Sequence, residues 1–157
     1  MMFDECKLER DAPFVLSSGR RSRVFYDFDL LKPRETAEYV KRLIDEIPSD
    51  VKKKIDFIVA PAVGGIVPGF LTAFALDKPL VVVGKEGKAR GPQFKGGRFL
   101  VVDDVITSFQ AVNHAISALS KECKCLGALA YIFRGNLQDL KKQTFPAFYL
   151  ARKEQEE

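Results

Sequence analysis

The chain has 157 residues, 46% of them aliphatic or aromatic and 29% charged, with 25 Lys and Arg against 21 Asp and Glu for a net charge of +4. That length suits one domain burying about two thirds of its unfolded surface, and the apolar runs fall well short of the roughly twenty residues of a membrane span. The charge excess is small for a nucleic-acid binder and sufficient for a small polyanion, and the opening MMFDECKLER lacks the apolar segment of a secretory signal, so the expected compartment is the cytoplasm.

After an irregular basic stretch, PRETAEYVKRLIDEI sets Ala37, Val40, Leu43, Ile44 and Ile47 at helical spacing behind Pro33, which predicts a helix from Pro33 to Ile47. IDFIVA then reads as a buried strand, PAVGG as a turn and IVPGFLTAFAL as a helix ending before Asp77. PLVVV, a Gly/Lys-rich loop, FLVV, the helix AVNHAISALSK and the strand CLGALAYIF repeat the alternation. Near-continuous Val/Ile/Leu runs between helices predict an α/β fold with a central, mostly parallel sheet flanked by helices. No repeat or linker divides the chain, and the tail ARKEQEE is expected to fray.

Ligands of such sheets lie beyond the carboxyl ends of the strands, so PAVGG, DDVITS and FRGN are expected side by side in one crevice. Asp103 and Asp104 follow a buried run, where an unpaired acid is costly, so they should reach the strand's open end and find a partner there. Two adjacent acids can accept hydrogen bonds from a diol or approach a metal. Thr107, Ser108 and the amides opening the next helix can hold phosphate, and diol plus phosphate suggests a ribose 5-phosphate. The alternative is that Asp104 and Thr107 only cap the helix. Lys85, Lys88 and Arg90 lie on a Gly-rich loop that can either close over a polyanion or remain a solvated turn. Gly64 and Gly65 can admit a pyrophosphate close to the backbone, or serve strand-to-helix packing. The three cysteines, Cys6, Cys123 and Cys125, are odd in number and are not expected to form a disulfide framework, Cys123 and Cys125 are read as core thiols of one strand face in preference to a metal pair, and the lone His114 is read as a half-buried helix residue.

FLVVDDVITS resembles the diphosphate-sugar signature of type I phosphoribosyltransferases. Three further stretches, in matching order, are similar to the orotate phosphoribosyltransferases: SSGRRSRVFYD (residues 17–27), GKEGKARG (84–91) and AYIFRGN (130–136). The resemblance implies the type I fold as one domain over 1–157, with a small hood contributed by 1–32 and 131–157. It implies transfer of ribose 5-phosphate from 5-phosphoribosyl 1-diphosphate to orotate, without nucleic acid or membrane partners. Lys85, Lys88, Asp103 and Asp104 would be catalytic. Arg21, Phe25, Tyr26 and Arg134 would meet the base, Arg134 clamping its carboxylate with a planar fork. Gly64, Gly65, Arg90, Thr107, Ser108, Phe109, Gln110 and Ala111 would hold the donor. Mg²⁺ is the implied cofactor, held mainly by the substrate with Asp103 and Asp104 able to approach it. A homodimer sharing the loop 84–97 is implied as well.

The chain departs from that pattern at named positions. The family places glycine where Phe109 stands and Thr or Ser at Gln110. If that position takes φ > 0, phenylalanine costs about 1–2 kcal/mol there and its ring can cover the phosphate site. Gly84 replaces an arginine, the segment from Gly91 to Phe99 is short, PAVGG lacks the lysine some members carry, and the chain ends soon after FYLARK. These departures motivate an alternative, a non-catalytic relative that senses a nucleotide or diphosphate sugar. A transferase acting on another base is a third reading.

Overall fold

The structure is a computed structural model that describes residues 1–16 and 19–153. Residues 17 and 18 of the SSGRRSRVFYD stretch and residues 154–157 of the tail lie outside the described residues.

An antiparallel hairpin opens the chain, β1 (Lys7–Val15) paired with β2 (Arg21–Tyr26). In β2 the burial alternates, with Ser22, Val24 and Tyr26 turned inward and Arg21, Arg23 and Phe25 outward, the period-two signature of a strand with one covered face. The helix α1 (Pro33–Asp45) follows, starting on the expected proline and ending two residues before Ile47. Its buried face is Thr36, Val40, Leu43 and Ile44, so Ala37 looks outward and Thr36 takes its place. A single turn, α2 (Ser49–Lys52), leads into the strand β3 (Phe57–Pro61), every residue of which is buried.

The remaining elements are α3 (Ile66–Leu76), β4 (Leu80–Val83), β5 (Ala89–Arg90), β6 (Gly97–Val102), β7 (Val105–Ile106), α4 (Gln110–Ser117), β8 (Cys123–Phe133), α5 (Leu137–Lys141) and β9 (Ala147–Arg152). The predicted helix AVNHAISALSK starts one residue earlier and ends at Ser117. The main sheet has seven strands in the order β5-β4-β3-β6-β8-β7, with β9 also beside β8. Only β5 runs antiparallel to its neighbour. The fold is therefore the α/β arrangement expected from the alternating apolar runs.

Adjacent strand residues point to opposite faces, and the two faces have separate cores. Ile58, Leu100, Val102 and Leu129 meet Val40, Leu43 and Ile44 of α1 and Ala73 of α3. Phe57, Val59, Phe99, Val101 and Ala130 meet Val112 and Ala115 of α4. The C-terminal part of the expected hood differs from expectation. β9 extends the main sheet at β8 through Arg152, because AFYLAR finds the free edge of that strand. The inner residues Val24 and Tyr26 of the N-terminal hairpin join the α1-side core. Among the described residues no helix is long and apolar enough to cross a membrane, and all three cysteines are free thiols.

Candidate active site

The strand β6 leaves the ladder at Val102, and β7 resumes pairing with β8 at Val105 opposite Ile132. Asp103 and Asp104 fill the gap between them. Their main chain stays fixed to β8, the Asp103 amide donating to the Leu129 carbonyl at 2.9 Å and the Tyr131 amide to the Asp104 carbonyl at 3.0 Å. Their carboxylates accept from the backbone ahead, Asp103 Oδ1 from the Asp104 amide at 2.8 Å and Asp104 Oδ1 from the Val105 amide at 2.7 Å. Burial pushes the Asp103 carboxyl well above the usual carboxylate range, and the adjoining Asp104 charge adds to that. Burial also raises Asp104, opposed by hydrogen bonds from Asp103 and from backbone amides. Two acids held this way readily share a proton, and a diol or a cation would relieve the strain of ionising both.

Beyond β7 the chain forms a shallow cradle lined by Asp103, Thr107, Ser108, Phe109, Gln110 and Ala111. Phe109 is the residue before the first turn of α4, with φ 67° and ψ 9°, and no side chain caps the helix. The helix-capping alternative for Asp104 and Thr107 therefore fails, and the first amides of α4 remain as donors for an anion. Ser108 Oγ is buried without a hydrogen-bond partner among the described residues, which leaves one further donor in the cradle. Phe109 does take the left-handed conformation. Its ring, however, packs in the core, with its centre 5.9 Å from that of Phe133 and 6.1 Å from that of Phe145, wholly buried.

The turn from β3 to α3 closes the other side. A Cβ at Gly64 would lie 2.5 Å from Asp104 Oδ2, and one at Gly65 2.5 Å from the Val102 carbonyl. Both glycines thus make room for protein atoms, the carboxylate of Asp104 above all, the packing role that the sequence reading set beside a pyrophosphate one. A cleft of about 500 Å³ opens beside this turn, lined by Pro61, Ala62, Val83, Gly84, Lys85, Gln110, Ala111 and His114. Gln110 and Ala111 border both cradle and cleft, so the cleft that Lys85 lines adjoins the cradle that Asp103 lines.

The loop predicted over 84–97 is partly a β-hairpin. Val82 pairs with Arg90 and Val83 with Ala89, and the Gly84 amide donates to the Lys88 carbonyl at 3.1 Å. Arg90 therefore stands on a strand, and neither it nor Lys88 lines the cleft. The glutamate at 86 curls back so that its carboxylate occupies the space a side chain at Gly84 would need.

Candidates for the base divide between the two faces of the hairpin. Tyr26 points inward, whereas Arg21 and Phe25 point outward, Phe25 stacking on Phe14 at 5.4 Å between ring centres. Arg134 is buried. Its Nη1 donates to the Val24 carbonyl and its Nη2 to Ser22 Oγ, each at 3.1 Å, with the guanidinium 5.3 Å from the Tyr26 ring. The fork expected to face a carboxylate is turned onto the hairpin.

Three residues escape the sequence reading. His114 is exposed in the cleft, not half-buried, because its face of α4 borders that opening while Val112 and Ala115 take the core side. The Tyr131 hydroxyl is buried without a partner among the described residues, and burial followed by the Asp104 charge pushes its ionisation upward. A Cβ on Gly135 would collide with the Thr107 carbonyl, so FRGN lies directly against the turn that opens α4. Only Gly135 carried a signal, its place just after a buried strand.

No family model matches the sequence. The chain is 39% identical over 115 residues to the orotate phosphoribosyltransferase of Parvibaculum lavamentivorans, covering 69% of this chain and 59% of that protein. It is 33% identical over 129 residues to the orotate phosphoribosyltransferase of Bartonella bacilliformis, covering 75% of this chain and 65% of that protein. The chain thus spans less than two thirds of the length of these curated relatives. The crystal structure of orotate phosphoribosyltransferase from Aeropyrum pernix superposes with a TM-score of 0.78 at 27% identity, over 94% of this chain and 88% of that one. The chain therefore has the type I phosphoribosyltransferase fold and is similar in sequence to proteins named orotate phosphoribosyltransferase.

Proposed function

We propose that the chain is an orotate phosphoribosyltransferase, transferring ribose 5-phosphate from 5-phosphoribosyl 1-diphosphate to a ring nitrogen of orotate with release of pyrophosphate. The observation that carries this reading is the junction of a buried acid pair, Asp103 and Asp104, with a helix start that no side chain caps. The amides of 108–111 and Ser108 Oγ take the 5-phosphate, and the ribose hydroxyls donate to the two carboxyls. As the bond to the diphosphate breaks, positive charge grows on the ribose carbon, and the acid pair beside it stabilises that charge. Lys85 stands on the opposite wall of the adjoining cleft, where it meets the departing polyanion.

Arg134 serves the base side by holding Ser22 and Val24, and with them the inward face of the hairpin, in place. The feature that most favoured a non-catalytic sensor loses its force, since the Phe109 ring is packed in the core. Mg²⁺ suits the oxygen donors of the acid pair, and no group of three or more metal-binding side chains gathers among the described residues. The ion would be carried mainly by the diphosphate, with the carboxyl oxygens of Asp103 and Asp104 able to approach it, and it would supply positive charge to the leaving group. On this reading the enzyme works in the cytoplasm as a homodimer. The exposed Val67, Phe70 and Phe74 of α3 give an apolar stripe that a second copy would cover.

The test is a spectrophotometric assay with Mg²⁺, 5-phosphoribosyl 1-diphosphate and orotate, following loss of orotate absorbance against a reaction without donor. Donor-dependent turnover is expected. Donor binding without turnover would transfer the chain to the sensor class.

A further inference from the structure

The inward positions of β2 continue one step back into the turn before it. Counting by twos from Tyr26 through Val24 and Ser22, the next is Arg20, half-buried where Arg21 and Arg23 are exposed. The hairpin draws little stiffness from its own ladder, whose register breaks between Glu9 and Phe14, and a two-stranded ribbon alone is only marginally stable. One short segment, RGNLQD (134–139), holds it from outside at consecutive inward positions. Arg134 donates to the Val24 carbonyl and to Ser22 Oγ, and Asp139 Oδ2, itself buried, lies 3.5 Å from Arg20 Nη2. Asp139 is fixed in turn, its amide donating to Asn136 Oδ1 at 2.8 Å and its carbonyl accepting from Gln143 Nε2 at 2.9 Å. Gln143 Oε1 accepts from Asn113 Nδ2 of α4 at 3.2 Å, and Gly135 packs on the Thr107 carbonyl. The segment is thus secured to the phosphate turn and to its helix while it grips the hairpin.

We propose that Arg20 and Asp139 are a pair of positioning residues that clamp the start of β2, so that the inward face of the hairpin keeps its place on the base side of the site. Arg134 holds the middle of β2 and Asp139 its beginning, and the two grips differ in kind. The first is a set of hydrogen bonds from a buried guanidinium, the second an ion pair between a buried carboxylate oxygen and a half-buried arginine. The chain Asn113, Gln143, Asp139, Arg20 runs from the helix of the phosphate cradle to the hairpin turn, so the clamp sets the base side against the donor side. The proposal rests on reading the chain as a transferase whose base lies beside Tyr26. Neither member of the pair touches substrate.

The experiment compares the full chain with Asp139→Asn, Arg20→Gln and the double variant, by kinetics with orotate and donor varied in turn and by amide hydrogen exchange along β2. Asp139→Asn keeps the backbone bonds to Asn136 and Gln143, so it removes the charge alone. Each single change should raise KM for orotate about three- to fivefold, the scale of one partly exposed ion pair, while kcat and the KM for the donor stay within about twofold. The same changes should speed exchange of the β2 amides by a similar factor and leave those of β3 unmoved. The double variant should be no worse than either single one, the mark of two side chains acting as one pair. Losses that add would overturn the pair. A fall in kcat as large as the rise in KM would also overturn it, since a general loosening of the fold gives that result. Unchanged exchange in β2 would do the same. The expected exchange pattern in a chain without orotate turnover would sink the proposed activity and leave the clamp standing.

Discussion

The two strand-to-helix turns of the site, 61–65 and 103–110, use glycine and phenylalanine against the usual expectation. At Gly65 the backbone has φ −81°, which any residue adopts, yet carbonyl oxygens of Val102 and Pro61 fill the place of a side chain. At Phe109 the backbone has φ 67°, where glycine would be at ease, yet the space beside it is a pocket between Phe133 and Phe145. A left-handed phenylalanine costs about 1–2 kcal/mol, and burying its ring contributes about 1.5–3 kcal/mol, so the two offset. Crowding, not dihedral freedom, decides where this site needs glycine.

Gly64→Ala is the most damaging way to probe that contrast. Its methyl group would enter the Asp104 carboxylate, which is held from behind by the Val105 amide and has little room to retreat. Overpacking of this kind costs about 1–3 kcal/mol of stability, and displacing an acid by an ångström lowers kcat/KM about a hundredfold. Urea unfolding and steady-state kinetics measure the two losses. Normal values for both would mean that the turn yields freely and that crowding does not govern it.

Asp103→Asn should separate stability from turnover. The folded carboxyl is raised above its unfolded value, so the folded chain binds more protons between the ordinary carboxylate range and that raised value. Stability therefore rises as pH falls through this window, and the full penalty is present above it. The amide variant escapes that penalty. With a chelator present it should be more stable than the parent by about 1 kcal/mol at pH 7.5, and the gap should close as pH falls toward 4. Its turnover should drop about ten- to hundredfold, the loss of one charge-assisted hydrogen bond to the ribose. A gap that persists at low pH would show that the gain does not come from sparing the folded chain an ionised carboxylate.

The fold was legible where a single demand governs a stretch. FLVV and IDFIVA are buried on both faces and contain nothing that competes with a parallel strand, so the acids that end FLVV could be placed at the sheet's open end. The hairpin β1–β2 was not, because KLERDAPFV is mostly exposed and carries Pro13, although RSRVFY already alternated. The acid pair and phosphate turn were legible as a cluster, since neighbours in sequence build them. The direction of Arg134 was not, because its partners Ser22 and Val24 lie 112 and 110 residues away and only the closed hairpin brings them within reach.

Phe109→Gly has the smallest expected effect on turnover and addresses the other side of the contrast. If the ring obstructed the phosphate, its removal would tighten donor binding. The ring instead fills space between Phe133 and Phe145, and the donors of the cradle are backbone amides and Ser108 Oγ, which glycine leaves in place. Glycine removes the dihedral cost of about 1–2 kcal/mol but gives up a buried aromatic worth about 3–5 kcal/mol on truncation, so a net loss of about 2 kcal/mol is expected. Donor affinity and kcat should stay within about twofold of the parent at a temperature where both are folded, because no group that meets the ligand has changed. Thermal unfolding and calorimetry with the donor read the two quantities. Tighter donor binding with unchanged stability would place the ring over the cradle in solution and return Phe109 to the role of an obstruction.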